Sequence, residues 1–168
     1  MTDSAPKPPC HDKPTFTLAQ LLAELPPLPG NLRRVAPTVR DRVLPGSLRE
    51  AIMLAVAAEN RCRVCQLAHT ALGRAEGLTP DEIASILADD AGAGRSEGER
   101  LALAHARELA RRDFASRDEA LHARLLEHFD ARAVGAIEAT ARVMNLANRF
   151  NNTLEAGLTR ALARLGLG

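Results

Sequence analysis

Apolar residues recur at the three- and four-residue spacing of amphipathic helices, from the segment FTLAQLLAEL at residues 16–25 to about residue 165. No stretch shows the two-residue alternation, rich in β-branched side chains, that is typical of a strand. The pattern therefore predicts an all-α fold. We expect a bundle of seven or eight helices that forms one domain over residues 16–168.

Two segments near the start of the chain lack this periodicity. Residues 1–15 are rich in proline, which predicts a disordered tail. The segment 26–46 carries five prolines and predicts a loop with at most one short helical turn.

Capping signals predict where the helices begin and end. Ser47 with Glu50 forms a capping-box pattern before the apolar run AIMLAVAA. The next helix is expected from about Asn60 to Glu76, with Gly77 as its stop signal. The remaining patterns predict helices at about residues 79–89, 96–112, 116–128 and 131–150, and a further one to about 165.

Composition narrows the classes of function. The 168 residues carry a formal net charge of +1, without the long run of like charges that nucleic acid or an anionic membrane would favour. Trp and Tyr are absent, so aromatic platforms for stacked bases are lacking. The N-terminal residues have no apolar signal-peptide core, and no apolar stretch is long enough to span a bilayer. We therefore expect a cytoplasmic protein with neither nucleic acid nor membrane as partner.

The candidate chemistry lies in the segment Cys62-Arg63-Val64-Cys65, which His69 follows. On a helix these three polar side chains would share one face, and cysteines three residues apart can form a disulfide. Such a small ring constrains the unfolded chain little, so its plausible use is to form and break. A position in the first helical turn would stabilise a thiolate by roughly 0.3–1 kcal/mol. His69 could collect the thiol proton.

Glu50 completes a longer motif with these residues. Glu50, eleven residues, Cys62-x-x-Cys65 and then His69 give the pattern E-x11-C-x2-C-x3-H. The text EAIMLAVAAENRCRVCQLAH resembles the core of the alkylhydroperoxidase D-like proteins in the carboxymuconolactone decarboxylase superfamily. The later text ATARVMNLANRFNNTLEAGL is similar to the helical segment that follows that core. The resemblance covers about residues 35–160.

The resemblance implies an all-helical fold, a homo-oligomer (a trimer or hexamer) and a thiol peroxidase that needs no cofactor and no metal. Cys65 matches the cysteine that attacks the hydroperoxide, and Cys62 matches the resolving cysteine. His69 and Glu50 match the proton-relay pair. An external dithiol, such as a lipoyl-bearing protein, would reduce the disulfide. Val64 stands where some peroxidase members have a second histidine.

The motif residues also allow other interpretations. Cys62, Cys65, His69 and Glu50 could bind a metal, although a structural zinc site usually has a second Cys/His pair. The cysteines could be small buried apolar residues. Glu50 could simply close the capping box. At the level of function, the alternatives are a carboxymuconolactone decarboxylase-type lyase and a non-enzymatic module that binds metal or senses redox state.

Other polar residues receive simpler expectations. His105 lies on a stripe with Leu101 and Leu109, and we expect it to pack in the core. His122 and His128 are expected to face solvent or lie near a helix end. Cys10 and His11 fall in the tail and receive no role.

Three asparagines share one face of the last helical segment: Asn145, Asn148 and Asn152. Asparagine is unfavourable inside a helix because its side chain competes for backbone hydrogen bonds. The run therefore predicts a buried hydrogen-bond network or a break in the helix, and a subunit interface is a weaker alternative.

Overall fold

A computed structural model describes residues 13–24, 42–90 and 94–166, with isolated positions between 26 and 36. Most of the predicted tail and of the predicted 26–46 loop lies outside the described residues. The described part contains seven helices and no strand, which confirms the all-α class. The helices are α1 (Leu18–Glu24), α2 (Gly46–Glu59), α3 (Arg63–Ala75), α4 (Pro80–Leu87), α5 (Glu97–Arg111), α6 (Glu119–Leu126) and α7 (Ala131–Arg164).

Helix α2 is the centre of the bundle. Its apolar run buries residues on every side, among them Ile52, Leu54 and Val56, which are all fully buried. A helix that is apolar all round needs partners on all sides. Helices α3, α4, α5 and α7 supply them by packing against α2. The core therefore places the start of α2, with Glu50, against α3.

The capping signals hold for some helices and fail for others. Thr79 and Ser96 form the predicted capping boxes of α4 and α5, and Asp130 caps α7. The predicted capping box of Ser47 is wrong: α2 begins after Pro45 with no side-chain cap. The predicted cap of α6 is also wrong, because Asp118 takes that position rather than Ser116.

Two helix boundaries differ from the sequence prediction. Helix α3 begins at Arg63, three residues after the expected start, because the chain makes a tight turn first. The last segment is one continuous helix, Ala131–Arg164, rather than two. The asparagine run does not break it, because Asn145 and Asn152 find hydrogen-bond partners outside the helix.

The residues just before α1 contact α7. Phe16 is buried, its backbone N–H donates to the Thr153 hydroxyl, and the Arg149 guanidinium lies 4.2 Å from the Phe16 ring centroid. Lys13 forms an ion pair with Glu155. In the part of the chain that the structure describes, no helix is long and apolar enough to cross a membrane.

Candidate functional site

The connection from α2 to α3 sets the position of the cysteines. Asn60 ends α2, and Arg61 adopts a left-handed backbone conformation with φ of +54°. This turn lets the Cys62 backbone N–H donate to the Ala57 carbonyl at 3.0 Å. The chain reverses within two residues, so the cysteines lie directly beside the end of the central helix.

Cys62 and Cys65 are joined by a disulfide, with their Cα atoms 5.3 Å apart. Cys62 is the N-cap residue of α3, and Cys65 is its third helical residue. The unpaired backbone N–H groups of a first helical turn, together with the positive end of the helix dipole, favour a thiolate there. Both cysteines are buried, at 2% and 5% exposure. Exposure therefore does not distinguish the two cysteines.

Glu50 and His69 form a hydrogen-bonded pair beside this turn. His69 Nδ1 lies 2.8 Å from Glu50 Oε2, which links the start of α2 to the middle of α3. Arg49 Nε donates to the other carboxylate oxygen at 3.3 Å. Glu50 is 4% exposed, and its carboxylate does not cap its own helix. The capping-box interpretation of Glu50 is therefore wrong.

The surroundings keep Glu50 ionised. Burial is the largest influence and raises the pKa of the Glu50 carboxyl, but the hydrogen bonds and charges of His69 and Arg49 together outweigh it. The pKa therefore lies below its ordinary value. An ionised Glu50 can accept a hydrogen bond from His69 Nδ1–H, and Nε2 is then the ring nitrogen that remains for proton transfer. His69 follows Cys65 by one helical turn on the same face.

Asn151 is a site residue that the sequence prediction missed. Its side-chain amide, on α7, donates to the Cys65 sulfur at 3.3 Å. The signal was present in the text NRFNN, but a helical-face argument selected its neighbour Asn152 instead. The contact joins residues 86 positions apart on two different helices, so the pattern of neither helix alone predicts it.

Two of the three predicted asparagines, Asn145 and Asn152, take part in a buried hydrogen-bond network, which confirms that interpretation for these two. The Asn148 side chain has no hydrogen-bond partner among the described residues. Asn145, Asn148 and Asn152 are at most 5% exposed. Asn60 donates to Asn145 at 2.8 Å, and Asn152 donates to the Asn60 backbone carbonyl at 2.8 Å. The network holds the end of α2 against α7 and so fixes the turn that carries Cys62.

The other three histidines that the structure describes lie away from this site. His105 is fully buried on the predicted stripe with Leu101 and Leu109. His128 is exposed, as expected. The expectation that His122 faces solvent is wrong, since its side chain is only 16% exposed and lies near Glu138.

The comparison with known families agrees with this site. The model of the carboxymuconolactone decarboxylase family matches residues 31–108, a segment that contains Glu50, both cysteines of the disulfide and His69. Neither the curated proteins nor the solved structures give a match to the chain. The family match supports the superfamily that the E-x11-C-x2-C-x3-H motif predicts. Over residues 31–108, the chain is similar to the carboxymuconolactone decarboxylase family.

Proposed function

We propose that the protein is an alkylhydroperoxidase-like thiol peroxidase that reduces hydroperoxides through Cys62 and Cys65. The observation that carries this proposal is the position of a disulfide-forming pair beside a buried, hydrogen-bonded Glu50–His69 pair. The cysteine pair supplies two electrons, and the Glu50–His69 pair moves a proton. Reduction of a hydroperoxide by thiols needs both.

The reaction begins with Cys65. Its thiol proton passes to His69 Nε2, and the thiolate attacks the terminal peroxide oxygen. The O–O bond breaks, Cys65 becomes a sulfenic acid, and the alkoxide leaves as an alcohol after taking a proton from His69. Sulfur loses two electrons and the peroxide gains them.

Cys62 then completes the oxidation. Its thiol condenses with the Cys65 sulfenic acid, which forms the disulfide and releases water. An external dithiol reduces that disulfide by thiol–disulfide exchange and becomes a disulfide itself. A lipoyl-bearing protein is the kind of dithiol partner that we propose, and the site needs neither metal nor organic cofactor for this cycle.

Two features support Cys65 as the attacking residue. It lies one turn before His69, and its sulfur accepts the Asn151 amide hydrogen bond. A hydrogen bond to a charged acceptor is stronger than one to a neutral acceptor, so this contact favours the thiolate. Exposure does not separate the two cysteines, so the difference in their roles rests on these neighbours.

The alternative functions use fewer of these features. A lyase needs an acid or base and an anion site, but it does not need two thiols. A metal-binding module needs free thiolates, whereas a disulfide occupies both sulfurs. Of the two enzymatic alternatives, the peroxidase cycle is the one that employs all four motif residues.

We also propose a homo-oligomer, in which a second copy covers the exposed apolar side chains of α7. Leu154, Leu158 and Leu162 are 37–62% exposed and repeat every four residues on one face. Val64 and Leu67, on α3 beside the cysteines, are also exposed, at 68% and 75%. Contiguous apolar surface of this kind usually marks an interface.

Hydroperoxide consumption with several dithiol donors tests the peroxidase proposal. We expect turnover in the wild type and none in the Cys62→Ser/Cys65→Ser protein. A lactone substrate assayed in parallel distinguishes the lyase. Decarboxylation by both proteins, without peroxide turnover in either, would contradict the proposal and favour the lyase.

Light scattering at micromolar concentration tests the oligomer. We expect Leu158→Asp to reduce the assembly to monomers, because it places a charge in the shared apolar face. Arg160→Glu, two residues away and on the far side of the helix, is the matched control and should leave the assembly intact. A wild-type monomer would contradict the proposal.

A further inference from the structure

We propose that His105, His122 and Glu138 form a second site, which binds a divalent transition-metal ion such as Zn²⁺. The three residues lie on α5, α6 and α7 respectively. None of them belongs to the CxxC motif, and the proposed peroxidase does not use them. The metal site therefore stands independently of the proposed function.

The potential ligand atoms converge on one point. His105 Nε2 lies 3.0 Å from Glu138 Oε1, and His122 Nδ1 lies 3.1 Å from the same oxygen. One potential ligand atom from each residue lies within 4.8 Å of the other two. Tetrahedral zinc bonds of ~2.1 Å hold their ligands roughly 3.4 Å apart. Side-chain shifts of a few tenths of an ångström would therefore admit the ion.

The donor set suits a transition metal. Imidazole nitrogen is a preferred ligand of zinc, copper and nickel, and two imidazoles with one carboxylate form a common zinc-binding set. A water molecule or small anion would complete the coordination from outside. Glu138 lines an open cavity of about 450 Å³ beside Ser116 and Arg142, which gives an ion a path from solvent.

The histidine nitrogens are otherwise poorly partnered. His105 is fully buried, and its Nδ1 finds no hydrogen-bond partner among the described residues. His122 Nδ1 is close to Glu138, but its orientation is not that of a hydrogen bond. His105 Nε2 already shares a hydrogen bond with Glu138 Oε1, whereas a buried nitrogen without a partner, such as His122 Nδ1, is unfavourable. An ion bound between His122 Nδ1 and Glu138 would give that nitrogen a partner.

One cation already approaches the carboxylate. Arg117 Nη1 lies 3.6 Å from Glu138 Oε1. The same guanidinium makes a closer two-atom contact with Glu119, at 3.2 and 3.0 Å. Arg117 therefore keeps a partner when an ion takes its place beside Glu138.

Titration with Co²⁺ and Zn²⁺ tests the site. The protein is the full chain with Cys10→Ser and with the Cys62–Cys65 disulfide intact, so no thiol competes for the metal. We expect about one ion per chain, with the visible bands of tetrahedral Co²⁺ and their loss on addition of Zn²⁺. Glu138→Gln and His122→Gln should each weaken binding by at least ~100-fold, more than the loss of a residue that only orients a ligand.

The matched control is His128→Gln, an exposed histidine close to α6 that should leave binding unchanged. Circular dichroism checks that each variant is folded. Positions 122 and 138 are partly exposed, so the test does not need a substitution at the fully buried His105. Absence of binding in the folded wild type would overturn the proposal. Binding that survives both Glu138→Gln and His122→Gln would overturn it as well.

Discussion

Two clusters in this chain pair a carboxylate with imidazole, and their neighbours differ. Glu50 and His69 lie beside the Cys62–Cys65 disulfide, and the Glu50 carboxylate also contacts Arg49. Glu138 lies beside His105 and His122, and this second cluster contains no cysteine. The side chain of Glu50 is 6% exposed and that of Glu138 is 29% exposed.

The comparison shows that the neighbours decide what such a pair can do. Beside a thiol, a neutral imidazole held by a carboxylate can accept a proton. Where two imidazoles meet one carboxylate, the same groups become metal ligands. The pKa of Glu50 and that of Glu138 both lie below the ordinary value, so ionisation alone does not separate the two clusters.

The largest expected effect is the loss of turnover when a thiol is removed, because only the Glu50–His69 cluster has cysteines beside it. Cys62→Ser and Cys65→Ser should each abolish multiple turnover of hydroperoxide, because neither variant can close the disulfide. Cys10→Ser is the matched control and should turn over at the wild-type rate. Sustained turnover by either single variant, measured as hydroperoxide consumption with excess dithiol, would break the link between the first cluster and its cysteines.

The next effect concerns the relay itself. Glu50→Gln and His69→Ala should each slow the first reaction with hydroperoxide by about 10²–10⁴-fold, the usual range for lost acid–base assistance. Glu127→Gln, at an exposed position, is the control for the charge change. Stopped-flow rates across a pH series provide the measurement. A Glu50→Gln protein with the wild-type rate and pH profile would show that the pair is only structural.

A smaller effect is expected at Asn151. Asn151→Ala removes the amide that donates to Cys65 and should slow the first reaction by about tenfold, the equivalent of one hydrogen bond to a charged group. Asn151→Asp has the same size but adds a negative charge, so it should slow the reaction further. The same stopped-flow assay measures both, and an Asn151→Asp protein as fast as the wild type would remove the residue from the site.

The smallest expected effect is on the stability of the fold, and both Glu50 and Glu138 should show it. A carboxyl whose pKa is lowered by folding adds stability above its unfolded pKa of about 4.3, and that stability is lost as pH falls through the folded pKa. Glu50→Gln and Glu138→Gln should therefore lower the free energy of unfolding at neutral pH. Each deficit should shrink below about pH 4. Urea unfolding at several pH values measures this deficit in stability. A deficit that grows on acidification would contradict the expected direction of the pH dependence.

The sequence predicts the first cluster well and the second poorly. Spacing on adjacent helical turns brings Cys62, Cys65 and His69 together, and the motif's resemblance to the alkylhydroperoxidase D-like core adds Glu50, which helix packing places beside His69. His105, His122 and Glu138 come from three helices, and only the tertiary packing sets their distances. Asn151 was missed for the same reason.

Local signals predicted most helix boundaries, but they failed where tertiary contacts compete with them. The Ser47 cap does not form because α2 begins at Gly46, which places Ser47 inside the helix, and the Glu50 carboxylate bonds to His69 instead. The asparagine run does not break α7, because two of its members bond to α2 or to the turn that follows it. The first twelve residues and most of the 26–41 segment lie outside the described residues, so the predictions made there stay predictions.

The most direct test of the central claim is to locate the sulfenic acid. The Cys62→Ser protein is treated with one equivalent of hydroperoxide in the presence of dimedone, and the modified residue is mapped by mass spectrometry. We predict one dimedone adduct, on Cys65, and no adduct in the Cys65→Ser protein treated in the same way. An adduct on Cys62 in the Cys65→Ser protein, with none on Cys65 in the Cys62→Ser protein, would contradict the account.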